Sequence, residues 1–150
     1  MTVSLDKIKQ LRKETKAGVM DVRQALQKSQ GDLKKAKEWL VKKGLDKAAK
    51  KASRETNEGL IEAYIHTGGQ VGAMVKLTCE TDFVARTKEF KILARELAMQ
   101  VASMKAKTVD ELLKQDYIRD NRKKIKDLVK ETVVKVGENI KVVEFKRMKI

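Results

Sequence analysis

The spacing of apolar residues changes near Gly59, from a helical repeat before it to a two-residue alternation after it. A chain with that break must build two kinds of buried surface, so the expected fold class is α+β. In the first stretch Leu5, Ile8 and Leu11 recur at helical spacing behind Ser4, a candidate N-cap, until Gly18 interrupts. Val19, Val22, Ala25 and Leu26 form a second stripe that stops at Gly31. Leu33, Ala36 and Leu40 form a third, capped by Asp32 and closed by Gly44. Helices of about ten residues with one narrow apolar face are not stable alone. They must cover one another, which predicts a three-helix module over residues 1–44 with Trp39 at its edge. Residues 45–58 are alanine-rich and basic, helical by propensity but poor in apolar surface, and are expected to form a connector.

Residues 59–150 are expected to form the α+β core. Two alternating runs, 60–66 and 71–77, flank Thr67-Gly68-Gly69-Gln70, a strong hairpin signal. From Thr87 onward Phe90, Leu93, Leu97, Val101 and Met104 mark an amphipathic helix, and Ala94, Ala98 and Ala102 beside them let it lie close on a sheet. Residues 108–111 match a capping box. A further helix is expected over 122–136, ended by Gly137, and residues 139–150 return as a third strand.

Charge narrows the partners without choosing among them. Lys and Arg number 35 against 21 Asp and Glu, for a net charge of +14. The first 58 residues hold 16 basic against 8 acidic side chains, and the remainder 19 against 13. Such a balance favours an acidic partner, a nucleic acid or an anionic surface. One Trp, two Tyr and three Phe leave no stacking platform for single strands, and the basic residues are scattered, so direct nucleic-acid binding is not expected. The single cysteine, Cys79, has no partner for an internal disulfide. No apolar run approaches the roughly 20 residues needed to cross a bilayer. The first residues lack a signal-peptide layout, so a cytoplasmic protein is expected.

Catalytic chemistry has little to stand on. His66 is the only histidine, so no metal cluster and no cofactor are expected. A Cys79–His66 nucleophile pair can be drawn, since hairpin strands bring distant residues together, but no third orienting group is evident. Glu80 and Asp82 are two apart and share a face only if a strand continues through them. An enzyme is therefore the weakest class. By contrast, Thr81-Asp82-Phe83-Val84-Ala85 puts an acid and a large aromatic at a strand-to-helix junction, where a rigid scaffold presents side chains. Phe83 either packs back beneath the helix as a staple-like contact or points outward; the residues themselves allow both.

Three stretches, in order, resemble elongation factor Ts, the family of guanine nucleotide exchange factors for elongation factor Tu. Residues 11–21, followed by Gln24-Ala25-Leu26 and Gly31-Asp32, are similar to the family's N-terminal signature, which usually has glycine where this chain has Lys16. Cys79-Glu80-Thr81-Asp82-Phe83-Val84-Ala85-Arg86 is similar to its most characteristic motif, here intact, and Val136-Gly137-Glu138-Asn139-Ile140 to its final core segment. The resemblance spans roughly residues 4–105 and 112–148. It implies an N-terminal module of the ubiquitin-associated type and a core of three antiparallel strands packed with helices. It implies binding to elongation factor Tu·GDP and promotion of GDP release and exchange for GTP, without covalent catalysis. Asp82 and Phe83 then intrude on the partner, and Thr81 and Val84 complete the element that displaces magnesium from the partner's nucleotide site. Val19 and Met20 match positions that touch the partner, although Val19 is equally readable as module core. Longer members carry a second core subdomain and a helical-hairpin insertion that 150 residues cannot hold, and even compact members have more chain than residues 105–121 provide. Compact members are associated with dimers in which a second copy substitutes, so a homodimer is expected. Lys16 in place of glycine makes a left-handed turn there more costly. The alternative reading is a basic RNA-binding protein associated with the translation machinery.

Overall fold

A computed structural model describes residues 3–150. The chain divides into two compact units, one ending at Lys50 and the other running from Lys51 to Ile150.

The first unit contains helices α1 (Leu5–Thr15), α2 (Val19–Lys28) and most of α3 (Leu33–Lys51). Leu11, Val22, Ala25, Leu26, Ala36 and Leu40 form its core, with Trp39 packed against them. Asp32 caps α3, its Oδ1 accepting from the backbone N–H groups of Lys34 and Lys35 at 2.9 and 3.1 Å. Ser4 occupies the N-cap of α1 but makes no side-chain cap bond. Between α1 and α2, Lys16 takes the left-handed conformation (φ 57°, ψ 11°) for which a glycine is better suited. The third helix does not stop at Gly44. One interior glycine costs only about 1 kcal/mol, and the residues after it, Leu-Asp-Lys-Ala-Ala-Lys-Lys, are mostly strong helix formers that carry the helix to Lys51.

In the second unit β1 (Glu58–Ile65), β2 (Val71–Cys79) and β5 (Ile140–Lys149) form an antiparallel sheet in the order β1-β2-β5. The fold is thus α+β, as the change of periodicity requires. Gly59 is obligatory in β1: its φ is 154°, and a Cβ there would lie 2.1 Å from the Leu77 carbonyl oxygen. Helix α5 (Lys88–Ser103) covers one face, burying Phe90, Leu93, Leu97 and Val101 against Ala73, Val75 and Leu77. The other face is left open, with Ile61, Ile65, Met74 and Met148 between 51 and 76% exposed.

A one-turn helix α4 (Asp82–Ala85) joins β2 to α5, and between α5 and the last strand lie α6 (Val109–Lys114), a small hairpin of β3 (Asp116–Tyr117) and β4 (Asp120–Lys124), and α7 (Ile125–Val136). Thr108 caps α6 by accepting from the Glu111 N–H. The last helix starts three residues later than its apolar pattern suggests, because residues 116–124 are taken by the hairpin. What holds that hairpin is the wholly buried Gln100. Its amide donates to Gln115 Oε1 and the Asp116 carbonyl, each at 3.1 Å, and its carbonyl accepts from the Ile118 N–H at 3.0 Å.

Candidate functional site

The residues after β2 leave the sheet and wind immediately into α4. Thr81 is extended (φ −128°, ψ 155°), and its Oγ1 accepts from the Val84 N–H at 3.4 Å, closing the turn. At the other end the Thr87 hydroxyl donates to the Val84 carbonyl at 2.7 Å while capping α5 through the Phe90 N–H. A single helical turn sends consecutive residues in different directions. Val84 and Ala85 are buried at 8% exposure each, whereas Phe83 is 79% exposed. The ring therefore points outward and does not pack beneath the helix. Asp82 sits beside it and pairs with Arg86 across one turn at 3.0 Å.

The loop joining α7 to β5 grips this turn. Glu138 accepts twice from Thr81, at 3.0 Å from its N–H and at 2.6 Å from its hydroxyl. Glu80 accepts from the Asn139 N–H at 2.7 Å. Asn139 is buried, and its amide donates to the carbonyls of Ala52 and Arg54. Glu80 and Asp82 would share a face only if the strand continued through them; the structure separates them, Glu80 to Asn139 and Asp82 to Arg86. The helical turn between them ends the strand alternation that the pairing required.

Neither does the Cys79–His66 pair form. In the hairpin register Cys79 lies opposite Glu58, while His66 bonds to Val71 at the far end. Eight strand steps put them about 26 Å apart. Burial, helped by the nearby Glu138 carboxylate, pushes the Cys79 thiol up to about 11, and its S–H donates to the Thr81 carbonyl. Such a thiol is a packing group and not a nucleophile. Among the described residues no group of three or more His, Cys, Asp or Glu is placed to hold a metal ion.

Val19 and Met20 open α2 in the first unit, 44 and 73% exposed, so neither belongs to the module core. The N-cap there is Gly18, which offers no side-chain bond. What steadies this tip is Asp21, held by Lys43 at 2.9 Å and Lys47 at 2.7 Å. These bonds keep its carboxyl below the usual range, Lys47 contributing most.

The sequence profile of the family described as Elongation factor TS matches residues 80–150, the stretch that contains both the outward ring and the loop gripping it. Curated relatives named Elongation factor Ts align along nearly the whole chain. The protein from Thermotoga neapolitana is 42% identical over 193 aligned positions, covering 100% of this chain and 98% of the relative. That from Oleidesulfovibrio alaskensis is 41% identical, covering 95% of each. That from Rippkaea orientalis is 40% identical, covering 97% of this chain and 77% of the relative. An alignment of 193 positions over a 150-residue chain leaves about 43 positions at which the Thermotoga protein has residues and this chain has none.

Proposed function

This chain belongs to the elongation factor Ts family, and we propose that it binds elongation factor Tu carrying GDP in the cytoplasm and promotes release of that GDP and its exchange for GTP. One observation carries the reading: Phe83 stands 79% exposed on a turn whose next two residues are buried. An apolar ring kept in water by a rigid backbone is stabilised only when something else covers it.

The energetics set how the ring acts. A factor that binds the nucleotide-free partner better than the loaded one weakens nucleotide binding by the same ratio. If the partner held GDP at nanomolar strength, about 12 kcal/mol would have to be offset. Burying one Phe side chain supplies only about 1.5–3 kcal/mol. The whole interface therefore supplies the energy, and Phe83 and Asp82 direct it at the magnesium and phosphate contacts. Asp82 is free to do so because its exposed ion pair with Arg86 is worth at most about 1 kcal/mol. Thr81 and Val84 hold the turn, the first by its cap and the second by burial. Val19 and Met20 offer a second apolar contact. No bond is made or broken, so the protein works by binding alone. The open sheet face carrying Ile61, Ile65, Met74 and Met148 is the surface on which a second copy would dock.

The test is GDP release from elongation factor Tu followed by stopped-flow fluorescence, with the mass of the complex read by light scattering. Phe83→Ala is expected to slow release at least about tenfold, or 1.4 kcal/mol, with the protein still folded. Unchanged release would refute the role.

A further inference from the structure

The last backbone pair between β2 and β5 is Cys79 with Ile140. Beyond it the strands part, yet the register continues through side chains. Glu80 holds Asn139, and Glu138 holds Thr81, the next two pairs in the same antiparallel count. Each of those acids accepts a backbone N–H from the opposite segment, so the two bonds are reciprocal. Gly137, left-handed at φ 78°, ends α7 and turns the chain so that residues 138 and 139 face the other segment.

The hydroxyl chemistry of Thr81 gives Glu138 a further part. A threonine hydroxyl has one proton to donate and two lone pairs to accept with. Its proton goes to Glu138 at 2.6 Å, which leaves a lone pair for the Val84 N–H. A carboxylate carries no proton of its own when ionised, so it fixes that polarity: Glu138 accepts, Thr81 relays and Val84 is capped.

We propose that Glu138 is a positioning residue for nucleotide exchange, holding Thr81 so that the turn bearing Phe83 is formed before docking. This rests on the exchange reading above. A turn already ordered loses less freedom on association, so the same contacts bind more tightly. Glu138 itself touches no nucleotide and acts through Phe83.

Glu138→Gln is the informative change, because it replaces one accepting oxygen with a donating amide of the same size. Either the Thr81 N–H loses its acceptor, or the hydroxyl accepts from the new amide and its own proton loses the carboxylate that oriented the hydroxyl toward Val84. Exchange is measured for Glu138→Gln in the native and the Phe83→Ala backgrounds. In the first, release is expected to slow about tenfold; in the second, less than about twofold, since the two residues act as one unit. Hydrogen exchange on the free protein is expected to show the Val84 amide losing protection in Glu138→Gln while the α5 amides keep theirs. Equal slowing in both backgrounds would overturn the proposal by showing that Glu138 acts independently of Phe83, and an unchanged Val84 amide would overturn it by showing that the turn forms without the clasp. Slow release by Phe83→Ala beside native release by Glu138→Gln sinks the positioning role alone. Native release by Phe83→Ala sinks the exchange reading itself.

Discussion

Two exposed apolar tips in this molecule are built on opposite principles. The turn at Thr81–Val84 is held by buried methyl groups, a capped backbone and a reciprocal clasp to residues 138 and 139. The tip at Val19–Met20 follows a strained lysine and an N-cap with no side-chain bond, and is steadied by Asp21 between Lys43 and Lys47. Packing and short hydrogen bonds are nearly indifferent to salt, whereas exposed ion pairs are screened by it. The first tip is held by packing and hydrogen bonds, the second by charge.

That contrast is most severely tested at Val84. Val84→Asp puts a carboxylate where the side chain is 8% exposed, and is expected to cost at least about 3 kcal/mol and to abolish exchange, as seen in thermal unfolding and GDP release. An ordinary melting midpoint would mean that the turn is not anchored by its methyl groups. A smaller effect of opposite sign is expected beside the other tip. Lys16→Gly relieves the left-handed residue and should stabilise the first unit by about 1 kcal/mol. Denaturant titration followed by Trp39 fluorescence reads this directly, because the only tryptophan lies in that unit. No upward shift in midpoint would show that the turn carries no strain.

The smallest effect concerns acid. Asp21 is lowered by its lysines, so its contribution is present above the unfolded carboxyl range, near pH 3.9, and is lost as pH falls through the folded value. The Trp39 signal of the native protein should therefore weaken on acidification more steeply than that of Asp21→Asn. Parallel curves would mean that the ion pairs do not steady the tip.

The sequence exposes some of this and hides the rest for physical reasons. Alternation around Gly68-Gly69 and the stripe from Phe90 to Val101 are long-range regularities, and the sheet and α5 follow them. The hairpin at residues 116–124 has no such pattern: Asp-Asn-Arg-Lys-Lys is polar throughout, and its shape is imposed by Gln100 from another helix. Gly44 looks like a stop but has a favourable helix on both sides. Near the site, the motif pointed to Phe83, but its direction depended on a four-residue helix too short to leave a periodic trace. Glu138 stands inside the third motif with nothing to mark its role. Its part emerges only when the β2–β5 register is known, since 57 residues separate it from Thr81.

The chain's one sulfhydryl is fully enclosed, protonated and occupied with a carbonyl. A maleimide or iodoacetamide reagent therefore meets an unreactive background at neutral pH. A cysteine engineered on the surface becomes the sole attachment point for a dye or spin label, without removal of the native one.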